Sequence, residues 1–180
     1  MRKKGFEVGI SFFVTLVISL AVFILSMSLA FNSFNKANQF QRDIDQNSRR
    51  EIENLIINQG QKVAIYPSQA ELYSGKSEII GLGIFNNLDN EKIFSLAVNC
   101  TKYIQPDGSA GGVGNCSRIQ ILFTPKSVNI KANDNFIYGI SVQNKAAARG
   151  QYIVNAVVTY PDGATAVQHG EIQKIYVISK

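Results

Sequence analysis

Between Val8 and Phe31 the chain has 24 consecutive residues without a charge, VGISFFVTLVISLAVFILSMSLAF, close behind Arg2, Lys3 and Lys4. As an α-helix, at ~1.5 Å per residue, this run is about 36 Å long, against a bilayer hydrocarbon core of about 30 Å. Core helices of soluble domains seldom run so far without a charge, because one face meets water. A cleaved secretory signal has a shorter apolar region, about 7–15 residues, ending in a small-residue cleavage site. Ser26-Met27-Ser28 and Ser28-Leu29-Ala30 match such a site weakly. Residues 6–31 therefore read as a transmembrane helix behind a basic leader, residues 1–5. The basic cluster holds the N-terminus in the cytoplasm, and everything after about residue 32 lies outside the cell.

The helix is expected to continue past the membrane. Residues 34–58 contain neither Pro nor Gly, and Phe40, Ile44, Ile52, Leu55 and Ile56 recur near helical spacing among polar residues. Gly60 is a stop signal. Residues 32–60 then form an amphipathic helical stalk, and residues 6–58 one long rod. Its sparse apolar stripe calls for a neighbour, either the chain's own domain or another copy. Ser11, Thr15, Ser19 and Ser26 run near four-residue spacing along the first half. Small residues so placed permit close helix approach, although Ser and Thr also bond their own backbone.

After Gly60 the period changes from 3.6 to 2. Phe94, Leu96, Val98 and Cys100 alternate with Ser95, Ala97 and Asn99, the pattern of a half-buried strand. Similar runs surround Ile80–Ile84, Ile119–Phe123, Phe136–Val142, Tyr152–Tyr160 and Ile175–Val177, separated by turns such as Pro106-Asp107-Gly108 and Pro161-Asp162-Gly163. The fold class is α+β: a long N-terminal helix followed, over residues 61–180, by an immunoglobulin-like antiparallel β-sandwich of about seven strands. Pro67 and Pro125 suit strand edges or sheet switches. Gly150-Gln151-Tyr152 matches the opening of a tyrosine corner.

The net charge of +5 is mostly an end effect: residues 1–50 carry +4 and residues 51–180 only +1. A nucleic-acid partner, which calls for a basic patch on the folded domain, is not expected. Cys100 and Cys116 form an even pair in an exported domain and are expected to be disulfide-bonded. Each sits inside an N-x-S/T triplet, Asn99-Cys100-Thr101 and Asn115-Cys116-Ser117, so Asn99 and Asn115 are candidate glycosylation sites. Gly111-Gly112-Val113-Gly114 leads toward a strand and lacks the Lys-Ser/Thr of a phosphate loop, so it reads as a hairpin loop. With one histidine and two cysteines, no metal site or cofactor is expected from this chain alone. His169 reads as a surface strand residue, and the acidic residues Asp89, Glu91, Asp107 and Asp134 as turn residues. No catalytic constellation emerges.

Arg2-Lys3-Lys4-Gly5, the apolar helix, the amphipathic extension and the β-rich head together resemble the type IV pilin-like superfamily, particularly its archaeal branch. The resemblance implies a leader cut between Gly5 and Phe6, with Lys4, Gly5 and Phe6 at the processing site. It implies a filament core packed through Phe12, Phe13, Leu16, Leu20 and Phe23, with Glu7 setting register. Many members carry Glu at the fifth mature position; here that residue is Ile10, and Glu7 is the second. The head is similar in kind to that of archaellum stator proteins, whose membrane helix stays uncut and whose immunoglobulin-like domain contacts the surface layer. The implied partners are the lipid bilayer, copies of this chain or pilin-like subunits, and a cell-envelope protein or surface layer. The expectation is a structural role in assembly, anchoring or adhesion. The alternatives are a non-polymerising stator or adhesin and, remotely, a membrane-tethered hydrolase.

Overall fold

The computed structural model describes residues 12–28 and 44–180, leaving aside the side chains of residues 113–115. The chain divides into two units, Met1–Asn38 and Gln39–Lys180. In the first unit, residues 12–28 form helix α1. Among the described residues no helix is long and apolar enough to cross a membrane. The apolar run Val8–Phe31 extends beyond this described stretch at both ends.

The second unit opens with helix α2, Gln46–Ile57. The single rod expected over residues 6–58 is broken at Asp45. Its backbone is extended (φ −62°, ψ 156°), and its carboxylate accepts the Ser48 N–H at 2.6 Å. Asp at this position competes with helix continuation by satisfying an N–H that has no partner within the helix, and so starts a new one. At the other end Gly60 adopts φ +68° just past the last turn, as expected of a stop signal. Residues 32–43 of the expected stalk lie outside the described residues.

Eleven strands follow: β1 Val63–Tyr66, β2 Gln69–Leu72, β3 Ser77–Phe85, β4 Lys92–Ile104, β5 Ala110–Gly111, β6 Ile119–Leu122, β7 Ser127–Ile130, β8 Asn135–Asn144, β9 Gly150–Asp162, β10 Thr165–Gln168 and β11 Gln173–Ser179. They make two sheets, one ordered β1-β3-β8-β6 and the other β2-β11-β9-β4-β5, with β7 pairing β4 and β10 pairing β9. Counting β1 with β2 and β6 with β7 as single strands that change sheets, and setting aside the two-residue β5 and the short hairpin strand β10, reduces the frame to seven. The order is then that of an immunoglobulin-like sandwich. Pro67 and Pro125 sit at the two changeovers, both after cis peptide bonds. A residue without an N–H suits a place where a strand leaves one ladder for another.

The inner faces of both sheets build one core. Phe94, Leu96 and Val98 of β4 and Tyr152, Val154 and Val158 of β9 meet Ile80, Leu82, Tyr138 and Ile140 from the other sheet. Two buried amides fasten its margins. Asn144 donates to Leu72 O and Ser179 Oγ and accepts from Ala147 N, tying β8 to β2 and β11. Asn86 donates to Asn90 O and Ile130 O and accepts from Leu88 N. Buried amides so satisfied define which strand ends meet.

A second cluster lies on the outside of the smaller sheet, where Ile44, Ile52 and Ile56 pack on Ala64 and Ile137. Gly81 and Gly83 of β3 lie directly beneath, and a Cβ at either would overlap Ile52. The neighbour called for by the thin apolar stripe is thus the chain's own sheet. The result is three layers: helix, four-stranded sheet and larger sheet.

Candidate assembly and surface sites

At 3.6 residues per turn, the packing residues Phe12, Phe13, Leu16, Leu20 and Phe23 fall within an arc of about 100° on α1. All are exposed, from 49% for Leu16 to 69% for Phe13. Val14, Val17, Ile18, Val22, Ile24 and Leu25 of α1 are exposed as well, and its polar residues are Thr15, Ser19, Ser26 and Ser28. Ser26 Oγ donates to Val22 O at 2.8 Å, so this hydroxyl is satisfied without water. That is the arrangement a polar group needs in an apolar setting. The processing residues Lys4, Gly5 and Phe6, with Glu7 and Ser11, lie outside the described residues.

The Cys100–Cys116 disulfide is present, with Cα atoms 5.7 Å apart. Cys100 stands at a bulge in β4, where the register to β9 shifts between Cys100 and Lys102. Cys116 belongs to a short 3-10 turn, Val113–Arg118. The glycine-rich stretch therefore leads into this turn before reaching β6. Gly111 serves a packing role: the Tyr103 ring lies where its Cβ would be. Tyr103 stacks on Tyr152 at 4.7 Å and donates its hydroxyl to Arg149 O at 2.7 Å. Tyr152 donates to Ala148 O, four residues upstream, at 2.9 Å, which is the tyrosine corner read from Gly150-Gln151-Tyr152. Asn99 is exposed on β4, while Asn115 falls within the 3-10 turn, its side chain outside the described set.

No family model matches the sequence, and no curated protein sequence matches it. Among solved structures the fold is similar to PapD-like domain 7 of human CEP192. The TM-score is 0.50 at 15% identity, over 67% of this chain and 86% of that one. A FixG-related protein from Vibrio parahaemolyticus is more distant: TM-score 0.46, 7% identity, 66% of this chain and 94% of that one. The class 5 fimbriae chaperone CfaA is more distant again: TM-score 0.38, 16% identity, 64% and 54%. At such identities the likeness shows the fold alone, an immunoglobulin-like, PapD-like sandwich. It does not extend to an archaeal pilin-like leader.

His169 corrects the sequence reading. It is only 3% exposed, with its ring 4.7 Å from that of Phe94 and 5.7 Å from that of Tyr160. Its Nε2 lies 2.8 Å from Phe85 O, so that nitrogen carries the proton and donates. Burial, opposed by the Phe85 bond and assisted by the nearby Lys62 charge, pushes the imidazole below its ordinary value of 6.5. The unfolded chain then takes up this proton first as pH falls, so the neutral ring's contribution to stability is present above about pH 6.5 and is lost on acidification below it. The urea midpoint is expected to fall between pH 7 and 5.5, and His169→Gln to flatten that part of the profile.

Asp107 and Asp134 do turn work, as read, whereas Glu91 Oε1 accepts from Asn129 Nδ2 of β7 at 2.6 Å. Asp107 Oδ1 accepts both the N–H and hydroxyl of Ser109, which holds its carboxyl below the usual range. Asp134 Oδ1 accepts from Asn135 N. Among the described residues no group of three or more His, Cys, Asp or Glu is placed to hold a metal ion.

Proposed function

We propose that this chain is a membrane-anchored, pilin-like surface protein with a structural role in filament assembly, anchoring or adhesion. Its sandwich is the extracytoplasmic head. The observation that carries the reading is α1: seventeen residues without a charge, with large apolar side chains exposed around most of its circumference and only Thr15, Ser19, Ser26 and Ser28 polar. A surface of that kind is stable only when lipid or other apolar helices cover it. Together with Arg2, Lys3 and Lys4 it gives a single span with the N-terminus in the cytoplasm. The disulfide suits an oxidising compartment. We read the chain as a non-enzyme, because its one histidine is enclosed by rings and bonded to a backbone carbonyl.

The test is the intact mass of the protein extracted from its native membrane. A start at Phe6 is the expected result and means leader processing of the pilin type. A start at Met1 means a permanent anchor and moves the reading to a stator or adhesin. A start after Ala30 removes the apolar segment and overturns both.

A further inference from the structure

The head is nearly neutral as a whole, at +1 over residues 51–180, but its charges are unevenly placed. Asn144, buried at one end of the sandwich, gathers the loops there. Its backbone N–H donates to Lys76 O at 2.9 Å, and its backbone carbonyl accepts the Gly75 N–H at 2.7 Å. The next N–H along, that of Lys145, donates to Arg118 O at 2.8 Å. Arg149 ends the same β8–β9 loop, where its carbonyl accepts the Tyr103 hydroxyl. Three loops thus bring Lys76, Arg118, Lys145 and Arg149 to one end, all four exposed. Tyr73, 61% exposed, begins the turn that Lys76 closes.

The carboxylates at this end leave those cations free. Among the described residues the one ion pair joins Glu71 to Lys180. Asp107 is bonded to Ser109, and Glu78 is partly buried on β3. At the opposite end, the loops gathered by Asn86 carry Asp89, Glu91 and Asp134 beside Lys92 and Lys131. The direction of α2 adds an independent observation. Ile44 and Ile52 lie over Gly81, Ile56 lies over Gly83, and Lys62 O accepts the Phe85 N–H. The helix therefore runs along β3 toward Phe85, away from Ser77, which pairs with Gln143 next to Asn144. The chain enters the head on the side of its cationic end, and only twelve residues separate Phe31 from Ile44.

We propose that the Asn144 end of the head rests on the membrane surface, where Lys76, Arg118, Lys145 and Arg149 meet the phosphates of anionic lipid headgroups. Basic side chains close to an anionic surface are attracted to it, and the attraction fades within a Debye length. Tyrosine favours the same depth, its ring toward the acyl chains and its hydroxyl in water, and Tyr73 is placed for it. Each contact is weak alone. A tether of twelve residues keeps the surface at high effective concentration, so a few such contacts suffice to orient the head.

The inference rests on the membrane-anchored reading, and the experiment separates the two. The full chain is reconstituted in vesicles of phosphatidylcholine, with or without phosphatidylglycerol, that carry a headgroup nitroxide lipid. A fluorescent label is set at the cationic end through Ser74→Cys, or at the opposite end through Asn87→Cys. With phosphatidylglycerol present, quenching is expected to be stronger at residue 74 than at residue 87, and the difference to be lost in high salt. Lys76→Gln, Lys145→Gln and Arg149→Gln together should abolish the gain that phosphatidylglycerol brings. The triple variant should keep the near-UV circular dichroism of the head, because these loops are held through backbone groups. Vesicle-bound protein whose two ends are quenched alike, or whose quenching ignores lipid charge, salt and the triple variant, overturns this inference and spares the anchor. Contact between labels at residue 74 on two copies, without quenching by lipid, does the same. Protein that does not stay with the vesicles overturns both.

Discussion

Ile52→Ala is expected to lower the stability of the head by about 2–5 kcal/mol, the usual cost of emptying a fully buried isoleucine site. Ile52 is 0% exposed and touches the sheet where Gly81 and Gly83 leave room for it. The glycines cannot close the gap, having no side chains, and the surrounding strands are fixed by their ladders. A shift of the urea midpoint at unchanged slope reads the effect. Ile57, five residues on and 69% exposed, provides the contrast: its Ala variant should stay within about 0.5 kcal/mol of wild type. Gly83→Val attacks the same contact from below, since its side chain would overlap both Ile52 and Ile56. Combining it with Ile52→Ala should cost less than the sum of the two, because the first change vacates what the second fills.

Removing the disulfide is the second large effect. Cys100 and Cys116 are 16 residues apart, and closing a loop of that size contributes about 3 kcal/mol in the chain-entropy account. The paired change Cys100→Ser with Cys116→Ser is expected to lose an amount of that order in denaturant unfolding. Hydrogen exchange should rise first in the 3-10 turn Val113–Arg118, which the bridge fastens to β4. The Tyr103–Tyr152 stack lies beyond the bulge and is held by its own hydroxyl bonds, so it should persist. Loss of protection across β4 and β9 together would instead mean that the bridge secures the whole sheet.

Much of the head is legible in the sequence because its strands alternate cleanly. Residues 93–98 face the solvent and the core in turn, as written in Phe94, Leu96 and Val98. β1 is harder to read: α2 covers Ala64 on one side and the inter-sheet core takes Val63 and Ile65 on the other, so the period of two disappears. The break at Asp45 falls in a stretch without Pro or Gly. Its signal is an Asp whose short carboxylate reaches the N–H three residues on. Gly81-Leu82-Gly83 was the mark of the helix above it, since a glycine on alternate strand positions means close approach by another element. His169 follows exposed Val167 and Gln168, and only the local path into Gly170, at φ +72°, brings the imidazole under Phe94 and Tyr160. No local pattern of residues carries that information. Of the candidate assembly residues, Phe12, Phe13, Leu16, Leu20 and Phe23 are exposed on α1, and that lipid or other helices cover them is the proposal made above.

That point is open to direct measurement. Cells producing the full chain are broken, and the membrane fraction is washed with alkaline carbonate and then with detergent. The account requires the protein to resist the carbonate wash and to be released by detergent. It requires Leu20→Lys, which sets a charge midway along the apolar run at a cost of about 2.5–3.5 kcal/mol, to reduce the retained share. Full-length protein that begins at or before Phe6 yet stays in the aqueous fraction, with α1 exposed and no detergent present, would contradict it.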